Sequence, residues 1–379
     1  MPSASSVEEL AAAVAAAEGP VRPRGGGTKL GWGAAPPEGA VELDTTGLDR
    51  VVEHNAGDFT AVVEAGARVA VLQARFAAHG QMLALDPPLG GGGGAAGDEG
   101  RGGAAPGGAT IGGVIATADS GPLRHRYGAP RDLVLGMTVV LSDGTISRSG
   151  GKVIKNVAGY DVAKLVTGSF GTLGVIASVS LRLHPLARRH ATVVAPSSEP
   201  ERLAAAAVAL AARPLEASCF DLRWQDGEGA LLIRFDGVAA EPRAAAVAGE
   251  LPGARVVVED EEEWARQREL QRRRDGLVLK VSTPLTGLGR VLAVAAAHGG
   301  TVAARAGLGL SWVGLPAGAD AAAVRRALAP APVTVLDGAR TVPDPWPQLT
   351  PGTEALMRAV KRRFDPRGVL APGVFAGGI

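Results

Sequence analysis

Residues 22–33, RPRGGGTKLGWG, set three adjacent glycines between an arginine and a Thr-Lys pair. Glycine loses more backbone freedom on folding than any other residue, so a folded run of three needs a reason. Successive amides freed of side chains form a concave nest for anionic oxygens. Arg24 and Lys29 would add positive charge at either end of a nest made by Gly25, Gly26, Gly27 and Thr28. The chemistry implied is the cradling of a phosphate. A P-loop does not fit, because the order is GGGTK and the following LGWG will not start a helix. A plain glycine-rich turn accounts for the same residues equally well.

Two further segments share the small-residue character. ATIGGVIATADSG places small residues at 109, 110, 112, 113, 116 and 120 in an apolar strip, and FGTLGVI adds Gly171 and Gly174. Such strips let a flat or extended ligand approach the backbone, although tight helix packing uses the same spacing. Three of them spread over 150 positions fit one extended cofactor better than three unrelated turns. The formal GxGxxG at Gly92, Gly94 and Gly97 is different. It lies in the glycine-rich, low-complexity stretch 89–108, with no strand before it and no helix after, so it reads as a surface insertion. No GxSxG nucleophile elbow occurs.

Composition narrows the classes. The 379 residues exceed what one growing core holds, so two domains are expected. A formal net charge of +1 with 20% charged residues gives no electrostatic case for nucleic acid or an anionic membrane. The single cysteine, Cys219, excludes an internal disulfide framework and a cluster held by its own cysteines. The start carries acidic residues where a leader would be basic, and Ser5/Ser6 before Glu8/Glu9 reads as a helix cap. A cytoplasmic chain is expected, at a membrane only peripherally and through partners.

The elements that must hold these segments read as α+β. Strands are expected near 40–44, 50–54 and 60–64, then an amphipathic helix through Val69, Leu72 and Phe76 with Gly80 as its cap. LVLGMTVVLSDGTIS reads as a hairpin, the Asp143-Gly144 pair supplying positive φ. YDVAKLVTGS reads as a helix and LGVIASVSLRLHP as a long strand. Residues 190–345 read as a second unit: strands 190–195, 217–224 and 229–236, helices 199–212 and 239–249, a strand in GLVLKVSTP, helix 286–298 and two further strand–helix alternations. In EDEEEWARQREL the pairs Glu262/Arg266 and Glu269/Arg273 read as a solvated helix face. His184 and His190 read as surface residues at a strand end. Arg272, Arg273 and Arg274 with Lys280 suit either a carboxylate grip or a solvated helix end.

VRPRGGGTK, LDPP, ATIGGVIATADSGP, YGAPRDLVLGM, SDGTISRSGGKVIKNVAGYDVAKLVTGSFGTLGVI and the terminal FDPRGVLAPG occur in an order that resembles the FAD-binding proteins of the vanillyl-alcohol oxidase / p-cresol methylhydroxylase (PCMH) type. Within that family the likeness is to the smaller flavin subunit of bacterial glycolate oxidases. The resemblance covers about residues 20–187 and 345–379. It implies a PCMH-type FAD-binding domain over 1–187, an α+β cap domain over 188–344, and a tail, 345–379, returning to the first domain.

The resemblance also implies site roles. Arg24 to Lys29 would wrap the FAD diphosphate. Asp86, Pro87, Thr110, Gly112 and Gly113 would lie along the phosphate-ribose stretch, with Ser120 and Gly121 close behind. Gly174 and Ile176 would give adenine-side backbone contacts. The glycine loop offers no His or Cys, so FAD is expected to be non-covalent. Implied partners are a larger catalytic flavin subunit and an iron-sulfur subunit, and the implied substrate is a small 2-hydroxy acid. Catalytic relatives carry a GHxGDGNLH-like cap strand that binds metal. Here the matching stretch, residues 303–314, AARAGLGLSWVG, has no histidine, so no metal centre is expected and no catalytic base is nominated. Lys155, Asn156, Tyr160 and Asp161 suit either a flavin-facing role or helix capping.

Overall fold

The computed structural model describes residues 3–90, 108–151 and 161–379. The chain forms two compact units: Met1–Ser120, Ala129–Leu186 and Gln348–Ile379 make the first, Gly121–Gly128 and Ala187–Pro347 the second. The stretch 91–107 and the Lys155, Asn156 and Tyr160 readings lie outside the described residues.

The first unit is built on a five-stranded antiparallel sheet ordered Val51–Asn55, Thr60–Glu64, Val175–Arg182, Val134–Val140, Ile146–Gly150. Its central strand alternates buried apolar residues, which is what period-2 patterning requires of a strand packed on a core. The hairpin expected in residues 133–147 forms, its strands Val134–Val140 and Ile146–Gly150, but only Gly144 takes positive φ (+85°), while Asp143 accepts from the Thr145 amide. A short parallel pair, Val21–Arg24 with Val41–Asp44, carries the glycine loop at its end. The first helix, Val7–Ala15, is capped as its serines suggested: Ser6 Oγ accepts from the Glu9 amide, and Glu9 reaches back to Ser5. The helix Val69–Ala77 buries Val69, Leu72 and Phe76, with Gly80 left-handed (φ +68°) just beyond its end.

The chain terminus is part of this unit. Lys361, near the end of the helix Pro351–Phe364, donates to the Thr172 and Leu370 carbonyls and to Asp365. Arg367 donates to the Val14, Ala15 and Ala17 carbonyls at the end of the first helix and to Ser142. These bonds satisfy acceptors that a helix end leaves open.

The second unit is an eight-stranded antiparallel sheet in the order Arg255–Val257, His190–Ser197, Glu228–Asp236, Cys219–Gln225, Thr301–Arg305, Leu310–Leu315, Leu277–Ser282, Val333–Val335. One face is apolar, with Val193, Phe220, Ile233, Leu279, Val302 and Val313 packed in a core with residues of the helices Pro200–Ala211, Ala240–Ala248, Leu288–Ala297 and Ala321–Leu328. The other face is mixed: Val194, Cys219, Ala230 and Leu232 pack with Trp264 there, beside a buried polar group. Arg305 and Asp221, opposite each other on neighbouring strands and both fully buried, form an ion pair of 2.6 Å. Arg305 also donates to the Gly121 carbonyl and to Gln271, and its guanidinium lies 4.7 Å from the Trp312 ring centroid. Gln267 donates to Asp221. Burial outweighs these partners and pushes the Asp221 carboxyl up to about 6.

Three readings of this unit need correction. The last part is not two strand–helix alternations, because Thr301–Arg305 and Leu310–Leu315 pair as a hairpin before a single helix and a strand. Gly309 makes that turn possible, since a Cβ there would sit 1.9 Å from the Thr283 carbonyl oxygen. The helix Glu261–Glu269 is not only a solvated face: Trp264 and Gln267 are buried, and the Glu263 side chain pairs with Arg223 and Arg255. His190 is no simple surface residue, as its Nε2 lies 3.2 Å from the fully buried Asp260. Arg272 pairs with Asp337 at 2.9 Å, which answers the carboxylate-grip question for that arginine within the protein. No helix among the described residues is long and apolar enough to cross a membrane.

Candidate functional site

The glycine loop follows the strand Val21–Arg24, where the backbone leaves the parallel pair. Two segments of the first unit, 108–110 and Gly90, close on it. A Cβ on Gly25 would meet Thr110 Oγ1 at 2.1 Å, and one on Gly26 would meet the Gly108 carbonyl oxygen at 2.0 Å. Across the loop, a Cβ on Gly90 would lie 2.8 Å from Thr28 Cγ2. Gly27 takes a left-handed conformation, φ +76°, that only glycine adopts without strain. Gly25 therefore admits the Thr110 side chain, Gly26 the Gly108 backbone, and Gly27 sets the turn.

What remains open is the amides. Gly25, Gly26 and Gly27 donate to no acceptor among the described residues, while Leu30 and Trp32 close the turn on the Gly27 and Lys29 carbonyls. Backbone N–H groups are strong donors that seldom stay without an acceptor, so three in succession mark a place for an anion. They border a cleft of about 90 Å³ lined by Gly25 to Leu30, Thr110, Gly113, Ala116, Thr117, Phe170, Gly171 and Val374, with Arg22, Pro23 and Trp32. Whole ligand pockets run to roughly 300–1,000 Å³. A cleft of this size takes one segment of an extended molecule, such as its diphosphate.

Charge around the loop is largely matched within the protein. Lys29, buried, stands 3.3 Å from Asp119 and over the Trp32 ring at 5.7 Å. Arg24 does not line the cleft and pairs with Glu42 at 3.2 Å. Arg22 donates to the Leu30 carbonyl and so braces the turn.

The remaining candidates are scattered. Thr110 and Gly113 line the cleft beside the loop, and the Gly113 amide is 3.4 Å from Thr110 Oγ1. Gly112 faces away: its amide bonds the Ala65 carbonyl, and a Cβ would meet Ala65. Gly174 immediately precedes the strand Val175–Arg182 and Ile176 lies in it; a Cβ on Gly174 would come within 2.2 Å of Val139 Cγ1, and Ile176 pairs with Val139. Asp86 and Pro87 lie between Leu85, whose carbonyl accepts from Gln73, and Leu89, whose carbonyl accepts from Ala109, outside the cleft lining. Ser120 is buried beside Asp119, and Gly121 belongs to the second unit. Asp161 caps the helix Val162–Val166 by accepting from the Lys164 amide, so of the two roles weighed for it capping is the one seen.

Sequence reasoning missed Phe170, Val374 and the Lys29–Asp119 pair. Ala116 and Thr117 continue the helical spacing from Gly113, and that signal was available. Nothing local marks Val374, which arrives from the far end of the chain, its carbonyl accepting from the Ala34 amide. Among the described residues no three His, Cys, Asp or Glu side chains come together as a metal site.

Antiparallel sheets with flanking helices and an amide-lined cleft define an α+β ligand-binding fold. Comparisons with known proteins say which. Residues 3–150 match the family model described as an FAD binding domain. The chain is 34% identical over 192 residues to the mitochondrial D-lactate dehydrogenase [cytochrome] of Arabidopsis thaliana, covering 51% of this chain and 30% of that protein. It is 31% identical over 196 residues to glycolate oxidase subunit GlcE of Escherichia coli (strain K12), covering 52% of this chain and 50% of that protein. Among solved structures, alkyldihydroxyacetonephosphate synthase superposes with a TM-score of 0.66 over 98% of this chain and 75% of that one, at 15% identity, a likeness of fold. The matched region is thus an FAD-binding domain of the PCMH type, the kind carried by FAD-linked oxidoreductases, and its cofactor is FAD. The matches span only about a third to a half of the length of these two curated relatives.

Proposed function

We propose that this chain is a flavin-binding subunit of a glycolate oxidase-type complex, working on a small 2-hydroxy acid such as glycolate or D-lactate. The observation that carries the reading is the row of amides at Gly25, Gly26 and Gly27, without acceptors among the described residues and bordering a cleft sized for a diphosphate. Bound FAD supplies an acceptor for the hydride of a CH–OH carbon. The chain's own contribution at the loop is to fix the cofactor: the amides hold the diphosphate oxygens, Thr110 and Gly113 flank them, and Gly27 keeps the turn in shape. The names of the relatives support the substrate class, and that one of them is a subunit of glycolate oxidase supports work within a multi-subunit complex; in this reading the other members are a larger catalytic flavin subunit and an iron-sulfur subunit. In this reading the complex is cytoplasmic, or peripheral at the membrane through those partners.

A second reading is a flavin-binding subunit that relays electrons or steadies the complex without oxidising substrate itself. It is favoured by the cap stretch 303–314, where Arg305 is already held by Asp221 and Gln271 and no histidine is present. The purified, FAD-loaded chain mixed anaerobically with glycolate or D-lactate separates the two. Bleaching of the oxidised flavin band is expected from a catalytic subunit. A yellow protein that keeps its colour until partner subunits are added assigns it the relay or supporting role.

A further inference from the structure

The amides of the glycine loop provide geometry but only partial charges, whereas a diphosphate brings full negative charges. Arg24 and Lys29 are each accompanied by a carboxylate, Glu42 and Asp119. Arg68, from the start of the helix Val69–Ala77, differs. No carboxylate accompanies it among the described residues. One N–H of its guanidinium donates to the Gly108 carbonyl at 2.5 Å, and a Cβ on Gly26 would lie 2.9 Å from the same nitrogen. This half-buried arginine therefore touches the middle glycine of the loop and keeps four further donors.

We infer that Arg68 is a cofactor-binding residue that supplies formal positive charge to the FAD diphosphate at the Gly25–Gly27 loop. The inference rests on the FAD reading and adds to it a residue that no small-residue motif marks. Arg68 does not line the cleft itself, but its guanidinium is held by Gly108 against Gly26, and a planar fork of donors can bond Gly108 on one edge and a phosphate brought to the loop on another. The backbone bridge between Arg68 and Thr110 fixes its origin relative to the cleft wall. A purely structural alternative exists, in which Arg68 only pins Gly108 against the loop, and the two make different demands on the ligand.

The test is binding of FAD and of riboflavin, which carries no phosphate, by flavin-fluorescence quenching to the full chain, wild type against R68Q and R68K, with ADP, which carries the diphosphate and adenosine but no flavin, read by competition against FAD. R68Q is expected to weaken FAD and ADP by roughly tenfold to a hundredfold, the range of a charge-assisted hydrogen bond. It should leave riboflavin as in the wild type, and R68K should recover most of the loss. The fall of FAD affinity with salt should be shallower in R68Q. Melting of the apo variants shows whether they are folded. Equal losses for FAD and riboflavin, or no loss in folded R68Q, overturn the inference while leaving FAD binding intact. A folded wild-type chain that takes up no FAD overturns the parent reading as well.

Discussion

Gly26→Ala is expected to give a folded chain that no longer retains FAD, with affinity down by about a hundredfold or more, the worth of two charge-assisted amide hydrogen bonds. The added methyl would stand 2.0 Å from the Gly108 carbonyl oxygen and 2.9 Å from Arg68, so the loop must move bodily away from the 108–113 segment. Neither obstacle is the free end of a flexible side chain: one is backbone, and the other is bonded to that backbone. Displacing the loop also turns the three open amides out of line with one another. Gly31→Ala is the matched control, because nothing lies within 4 Å of a Cβ there. Absorbance of the bound flavin after gel filtration reads both variants. Equal flavin content in the two would mean that the loop tolerates displacement and is not the grip.

Arg305→Met is expected to lower thermal stability by about 3–5 kcal/mol, because removing one member of a buried ion pair leaves the other charge uncompensated. Asp221 is fully buried, and burial has already raised its carboxyl to about 6 with Arg305 opposing the shift. Without the arginine its pKa rises further. A carboxyl whose folded pKa is raised contributes stability that is present below its unfolded value of about 4 and lost as pH rises through the folded value. The variant should therefore be most destabilised at pH 8 and recover part of the loss by pH 5, as Asp221 takes up a proton. Calorimetry at the two pH values checks this, and the same loss at both would show that Asp221 is not the group left stranded. Arg305 also bonds the Gly121 carbonyl, so the variant should expose the segment Gly121–Gly128 to faster amide exchange.

The legible parts of the fold are the local ones. Ser6 before Glu9, Asp143-Gly144 between two apolar runs, and Val69, Leu72 and Phe76 at helical spacing each carry their instruction within a few residues. The hairpin 301–315 is hidden because its strands are short, Thr301–Arg305 and Leu310–Leu315, too few residues for periodicity to separate strand from helix. The charge-rich helix 261–269 misleads because i,i+4 spacing describes a helix in isolation, whereas Glu263 answers to Arg223 and Arg255 on the sheet.

At the site, the glycine run is legible as an anomaly and its meaning only partly so. That Gly25 and Gly26 face Thr110 and Gly108 depends on contacts 82 to 85 positions apart in the chain. The pairing of Lys29 with Asp119 and the approach of Arg68 depend on the same assembly. Small residues at 112 and 174 look alike in sequence to those at 113 and 171. Only packing distinguishes Gly112 and Gly174, which admit Ala65 and Val139, from Gly113 and Gly171, which line the cleft.

A comparative titration of the isolated wild-type chain tests the account most directly. If main-chain amides at 25–27 hold a diphosphate, FAD should bind at submicromolar concentration and ADP should compete for the same site, while riboflavin binds at least about a hundredfold more weakly than FAD. A folded chain that ignores FAD, or that takes riboflavin as readily and is indifferent to ADP, would contradict it.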